Sequence, residues 1–282
     1  MQFQITTPNP NPNPTLPPLP PPRITITDEC YVAKHPYQNP NQKSNPKPNH
    51  KPKHSIFFSY ANEPLIKSIV SQEILPKCSQ TNYNVIKFNA DKVERLIDYR
   101  NTNTNTNTNT NTTPQLENVT QMLYDLSSQL NYLMRRYGKC FLGYYSTNVL
   151  VISYEGVKRF VYIPKSEDIC DIVDNTLRVS HPFTRHKLYE SPETLTIKRI
   201  PSFINPKSIY YSLGCLVLDG LRFANGNRFM LKHACIDETC YEDYIERNLK
   251  LLDDSFLKGS KLYYCLKRCL QKEADDRSCI YI

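Results

Sequence analysis

Residues 188–220 read LYESPETLTIKRIPSFINPKSIYYSLGCLVLDG, and the reading of this stretch decides the fold. A Ser-Pro-Glu triplet stands at 191–193, and Tyr-Ser-Leu-Gly at 211–214 opens a run of apolar residues through Leu221. Such a run, flanked by polar chain and too short to span a membrane, predicts a helix buried in a protein core. Further on, Leu262–Arg277 reads LYYCLKRCLQKEADDR, an amphipathic helical pattern that ends in acids and one arginine.

Working outward, the chain is 282 residues long with 39% hydrophobic residues, enough for one large domain or two small ones. The net charge is +8, and half of it lies in the first sixty residues, where Arg23, Lys34, Lys43, Lys47, Lys51 and Lys53 face only Asp28 and Glu29. A basic, Pro/Asn-rich arm attracts nucleic acid or anionic surfaces, though it also serves as a solvated tail. The remainder carries no reader motif, so nucleic acid is not the expected partner. No apolar run reaches the roughly 18 residues of a membrane span, and MQFQITTPNPN lacks a charged-then-apolar leader. An intracellular, cytoplasmic protein is expected, its ten cysteines reduced and mostly buried. The nearest metal-like spacing, His233-x-Cys235-x4-Cys240, has no second pair to complete it, and Cys265 and Cys269 sit four apart as two core-facing helical residues would. No metal site is expected.

The motifs of the opening stretch resemble the second half of a eukaryotic-type protein kinase domain. There an A-P-E motif closes the activation segment, a buried helix opens with D-x-W-S-x-G, and a late helix ends near an Arg that pairs with the A-P-E Glu. The matching positions are Glu193, the 209–214 stretch and Arg277. The resemblance implies an α+β, bilobal protein-kinase-like fold: a small β-rich N-lobe with one helix, and a larger, mainly helical C-lobe, interrupted by low-complexity inserts.

The chain in order supports that plan. Residues 1–22 form a Pro/Asn-rich arm that can neither pair as strands nor wind as α-helix. Over 23–100 the sequence predicts strands at Arg23–Thr27, Cys30–Lys34, Ser55–Tyr60, Asn84–Phe88 and Arg95–Tyr99, with a helix over Asn62–Lys77 and a low-complexity loop over 36–54. Five strands with a helix after the third is the kinase small lobe. Residues 101–113 hold six Asn-Thr dipeptides with nothing to bury, in the place of the inter-lobe connection. The C-lobe, 114–282, opens with the best helical pattern in the chain, Glu117–Tyr137, followed by a hairpin of Asn148–Ile152 and Val157–Ile163.

Phosphoryl transfer needs phosphate positioning, a metal and a base. The first glycine of the chain is Gly138, so the Gly-rich loop is missing. Val32-Ala33-Lys34 resembles V-A-I-K; alternatively SIFFSY is the third strand and the lysine is replaced near Phe58 or Ser59. Glu73 has the spacing of the helix Glu, or is an exposed helical residue. Counting back from Asn148 puts the H-R-D triplet at Phe141, Leu142 and Gly143, or with a one-residue slip at Cys140, Phe141 and Leu142, and no Asp occurs between Asp125 and Asp168. Glycine cannot accept a proton. The D-F-G position falls on Val161-Tyr162-Ile163 or one residue later, without a carboxylate for magnesium. The following acids, Glu167, Asp168, Asp171 and Asp174, read as a solvated helix face. Ile209 replaces the buried-helix Asp.

The scaffold positions are kept while the chemical ones are lost. The expectation is a pseudokinase, an interaction or regulatory module with a protein partner, which an active kinase would suit. The alternative is a divergent active ATP-dependent serine/threonine kinase. ATP and Mg²⁺ are the cofactors the resemblance implies, with Lys34, Glu73 and Asn148 as nucleotide-binding candidates. Asn-Thr and Asn-Pro tracts in so stripped a domain suggest a large DNA virus as the source.

Overall fold

The computed structural model describes residues 22–35, 53–60, 62–104, 112–183, 189–221 and 241–279. The Pro-rich arm, most of the 36–54 loop, the middle of the Asn-Thr repeat, and His233, Cys235 and Cys240 lie outside the described residues.

The first part is an antiparallel sheet of five strands: β1 (Arg23–Thr27), β2 (Cys30–His35), β3 (Lys53–Phe58), β4 (Ser79–Asn82) and β5 (Val85–Asn89), in the order β1-β2-β3-β5-β4. Ile24, Val32, Ile56 and Ile86 are cross-strand partners in successive pairs, so a single row of aliphatic side chains crosses one face. Period-two alternation fixes this register, since a slip by one residue would turn the whole row outward. Helix α1 (Glu63–Val70) lies between β3 and β4 in the chain. The Asn62 side chain caps it by accepting from the Leu65 amide at 3.1 Å, and Leu65, Ile66 and Ile69 are buried.

Helix α1 is shorter than the expected Asn62–Lys77. It stops at Val70, and Glu73 follows in a turn with φ of 50°, where the chain reverses into β4. The misreading came from Ile74 and Leu75, which are buried like helix-face residues but leave from a turn. Strand β4 was not expected at all, since its SQTN sequence has no apolar residue.

In the second part, the segment expected as a strand over Arg95–Tyr99 is instead the end of β6 (Lys92–Arg95) and the start of α2 (Leu96–Thr104), which also takes the first Asn-Thr pairs. Then follow α3 (Thr112–Tyr137), β7 (Lys139–Phe141), β8 (Val149–Tyr154), β9 (Val157–Tyr162), β10 (Ile169–Val173), β11 (Thr176–Val179), α4 (Pro192–Leu195), β12 (Ser202–Ile204), α5 (Ser208–Gly220), α6 (Tyr241–Asp253) and α7 (Lys261–Cys269). Two small antiparallel sheets, β6-β8-β9 and β12-β11-β10-β7, complete an α+β fold. The acids 167–174 do not share a helix face. They fall on a short 3-10 turn, on β10 and on the β10–β11 turn, and Asp168 is buried.

Helix α3 packs its 3.6-period face of Met122, Leu126, Leu130 and Leu133 into the core. Strand β9 is the edge of its sheet, and α3 covers that edge with polar groups rather than another strand. Asp125 accepts from the Phe160 amide at 2.9 Å, and Gln129 both accepts from the Tyr162 amide at 3.0 Å and donates to the Tyr162 carbonyl at 2.8 Å. Helix α5 is buried from Ile209 to Leu218 apart from Tyr210. It approaches α7 so closely that a Cβ on Gly214 would lie 3.0 Å from the Cys269 Cβ, which is why a glycine stands there.

Candidate functional site

The candidate site is the region where the β1–β2 turn meets the segment 162–168, which is joined in turn to the segment 141–148. Asp28 and Glu29 form the tip of the turn. The Glu29 carboxylate accepts from the Ser166 amide at 2.9 Å, the Ser166 hydroxyl at 2.7 Å and the Tyr60 hydroxyl at 2.9 Å. Lys165 reaches Asp28 at 3.1 Å. That ion pair is exposed and contributes little; the clasp is made by Glu29, whose charge strengthens each bond. An acidic hairpin tip is thus closed onto the chain that follows β9.

Below the tip lies an aromatic plug. Phe141, Tyr144 and Tyr162 stack edge-to-face and tilted, with centroids 4.7 to 5.7 Å apart. Each buried hydroxyl has a partner: Tyr162 donates to the Gly143 carbonyl at 2.7 Å, and Tyr144 to the Leu126 carbonyl at 3.0 Å. Burial drives the phenol pKa values of Tyr144, Tyr145 and Tyr162 well above the ordinary tyrosine range, so none acts as a base near neutrality. At Gly143 a Cβ would lie 3.1 Å from the Tyr145 hydroxyl oxygen and 3.3 Å from its ring. A side chain at 143 would require Tyr145 to give way by a few tenths of an ångström.

Ser212, on α5, accepts from the Tyr144 amide at 2.7 Å. The backbone of this loop therefore has an anchor even though Ile209 stands where the resemblance places an Asp. Asn148 is buried; its side chain accepts from the Thr147 hydroxyl at 3.0 Å, and its carbonyl accepts from the Ile163 amide at 2.8 Å. It fastens the loop to the segment after β9.

Two buried acids complete the region. Asp125 is fully paired: Arg159 donates Nε at 3.1 Å and Nη2 at 2.9 Å, with Gln121 and the Phe160 amide alongside. Burial nonetheless raises its pKa above the usual carboxylate range. Asp168 is 2% exposed, its Oδ1 has no hydrogen-bond partner among the described residues, and its carbonyl accepts from the Leu142 amide at 2.8 Å. Burial, aided by neighbouring Glu167, pushes its pKa up to about 6.

The expected nucleotide-binding residues lie on three separate elements: Lys34 on β2, Glu73 in the turn after α1 and Asn148 just before β8. Lys34 is exposed and edges a cavity of about 160 Å³ with Ile24, Val32, His54, Asp91 and Val93. Glu73 is exposed in the turn after α1 and forms no ion pair among the described residues. Within SIFFSY, Ser55, Ile56 and Phe58 are buried in the core. Glu193 and Arg277 do meet, with Arg277 donating to both carboxylate oxygens at 2.7 and 2.9 Å. No family model matches the chain.

Proposed function

We propose that the chain is a protein-kinase-like protein that has lost phosphoryl transfer and acts as an interaction or regulatory module. The observation that carries this reading is the Glu29 clasp. In the resemblance, the β1–β2 turn is where glycine amides cradle phosphates; in this chain it presents two carboxylates and is hydrogen-bonded to Ser166. Carboxylates turned toward a triphosphate repel it, and the closed tip occupies the space.

Among the described residues, those around the cavity beside Lys34 do not suit ATP with its magnesium. The cavity beside Lys34 is small against the roughly 300 Å³ at which ligand pockets begin. Tyr162-Ile163-Pro164 offers no carboxylate, and a side chain at Gly143 would have to push the Tyr145 ring aside. What is retained is a rigid frame: the Arg277–Glu193 pair, the Ser212 anchor and the buried α5. A frame kept without its chemistry serves to present a surface to a protein partner, and an active kinase is the partner this reading favours.

Asp168 favours the second reading, a divergent active kinase with a relocated acid, because it is a buried carboxylate beside Leu142 with an unused oxygen. One pair of measurements separates the two. With the pseudokinase reading, millimolar Mg-ATP leaves the melting temperature unmoved, because a ligand stabilises only what it binds, and radiolabelled phosphate transfer stays at background. Transfer above background that disappears in Asp168→Asn would establish the active kinase instead.

A further inference from the structure

Outside the candidate site, α7 and the chain that follows it bring three cysteines together. Cys265 and Cys269, one helical turn apart, are buried, and Cys279 returns beside them half-buried after the chain has turned at the 3-10 segment Ala274–Asp276. Their sulfurs all lie within 4.8 Å of one another. Cys265 and Cys269 alone read as core residues; Cys279 turns the pair into a donor set. We propose that Cys265, Cys269 and Cys279 form a three-thiolate site for a thiophilic d¹⁰ metal ion, Zn²⁺ in the first instance.

The spacing suits such an ion. At a metal–sulfur distance of about 2.3 Å, three sulfurs around one ion stand about 4 Å apart, so the cluster need tighten by less than ~1 Å. Three thiols and no carboxylate or amide make a soft donor set, which selects Zn²⁺ or Cu⁺ over Mg²⁺ or Ca²⁺. The protein provides a charge to match: Zn²⁺ with three thiolates carries one negative charge, and Arg268 exerts an electrostatic pull on Cys265. Binding breaks three S–H bonds, forms three Zn–S bonds and releases three protons to solvent, with no change of oxidation state. Access is from the half-buried Cys279, and the fourth position on Zn²⁺ is left to water. The position of Cys279 is fixed by Arg277, two residues earlier, which is tied to Glu193 and to the Gln271 and Lys272 carbonyls. A metal at this site would clip the tail to α7 a second time.

The test uses the full chain, freed of metal and kept reduced with a phosphine, titrated with Co²⁺ and then Zn²⁺. The site predicts one equivalent of Co²⁺ with a thiolate-to-cobalt charge-transfer band, bleached by Zn²⁺, and a melting temperature raised by several degrees when Zn²⁺ is added. Cys279→Ser removes the band and the Zn²⁺-induced rise, while Cys78→Ser keeps both. The proposal is overturned if wild type gives no band and no rise. It is equally overturned if the band survives in Cys279→Ser but is lost in Cys235→Ser, or if mass spectrometry of the protein as purified finds Cys279 in a disulfide with Cys265 or Cys269.

Discussion

Arg277 is the largest fully buried side chain among the described residues, and its guanidinium has its charge met on every side. Besides both oxygens of Glu193 it bonds the Gln271 and Lys272 carbonyls, and it lies 5.1 Å from the centroid of the Tyr211 ring. Removing Arg277 leaves Glu193, whose side chain is only 19% exposed, without its partner. Arg277→Ala should therefore cost about 3–5 kcal/mol in urea unfolding, and Arg277→Lys should recover little, because an ammonium cannot fork onto two oxygens. Asp168 is the opposite case. Its folded pKa of about 6 lies above the ordinary 3.8, so the folded state holds the proton more tightly than the unfolded one. Stability then falls as pH rises from about 4 to about 6, and the full cost, about 3 kcal/mol for a two-unit shift, is present above that window. Asp168→Asn removes it: the variant should gain on wild type progressively between pH 4 and 7, and a stability difference flat across that range would refute the assignment. Glu193 and Arg277 were legible in the sequence because each sits in a motif. Ser212 also sits in a motif, but its bond to the Tyr144 amide was not legible, nor were the roles of Gln129 and Glu29, because each serves a backbone amide far along the chain, and an amide leaves no mark in a sequence.

At the scale of elements, the hairpin β1–β2 is held to the chain after β9 by one side chain. Glu29→Ala deletes three hydrogen bonds to a charged acceptor, each worth about 1.5–3 kcal/mol at most and less where water can take over. The loss is local. Hydrogen exchange of the Ser166 amide should accelerate by at least tenfold while the amides of α5 keep their protection, the pattern of a sub-global opening. Equal protection of Ser166 in both proteins would mean that Glu29 is not what closes the tip. The elements that sequence pattern misjudged share a cause. In Arg95–Tyr99 the apolar Leu96, Ile97 and Tyr99 fit a strand as well as a first helical turn, and the Asn-Thr pairs that continue α2 are weak helix formers. Strand β4 is an edge of polar residues held by backbone pairing to β5, so it has no apolar alternation to read.

At the scale of the molecule, the buried α5, the long α3 and the hairpin β8–β9 were readable because burial demands long, regular apolar patterns. The clasp was not, because it depends on groups 137 residues apart in the chain meeting. The low-complexity tracts fit the same division. Strands β2 and β3 are antiparallel neighbours, with His35 directly opposite Lys53 and the His35 ring 3.1 Å from the Ser55 hydroxyl. All of residues 36–52 therefore leave and return at one end of one hairpin. Closing a loop costs about 0.6 kcal/mol for each doubling of its length, so a four-residue glycine-containing turn in place of 36–52 should stabilise the fold by about 1 kcal/mol. Lys43, Lys47 and Lys51 leave with that segment, lowering the net charge by three without touching the sheet. A melting temperature that rises a few degrees marks the segment as a connection carrying charge. A fall would show that it packs against the sheet and that the hairpin needs it, and the β2–β3 register would then owe its stability to more than the aliphatic row of Val32 and Ile56.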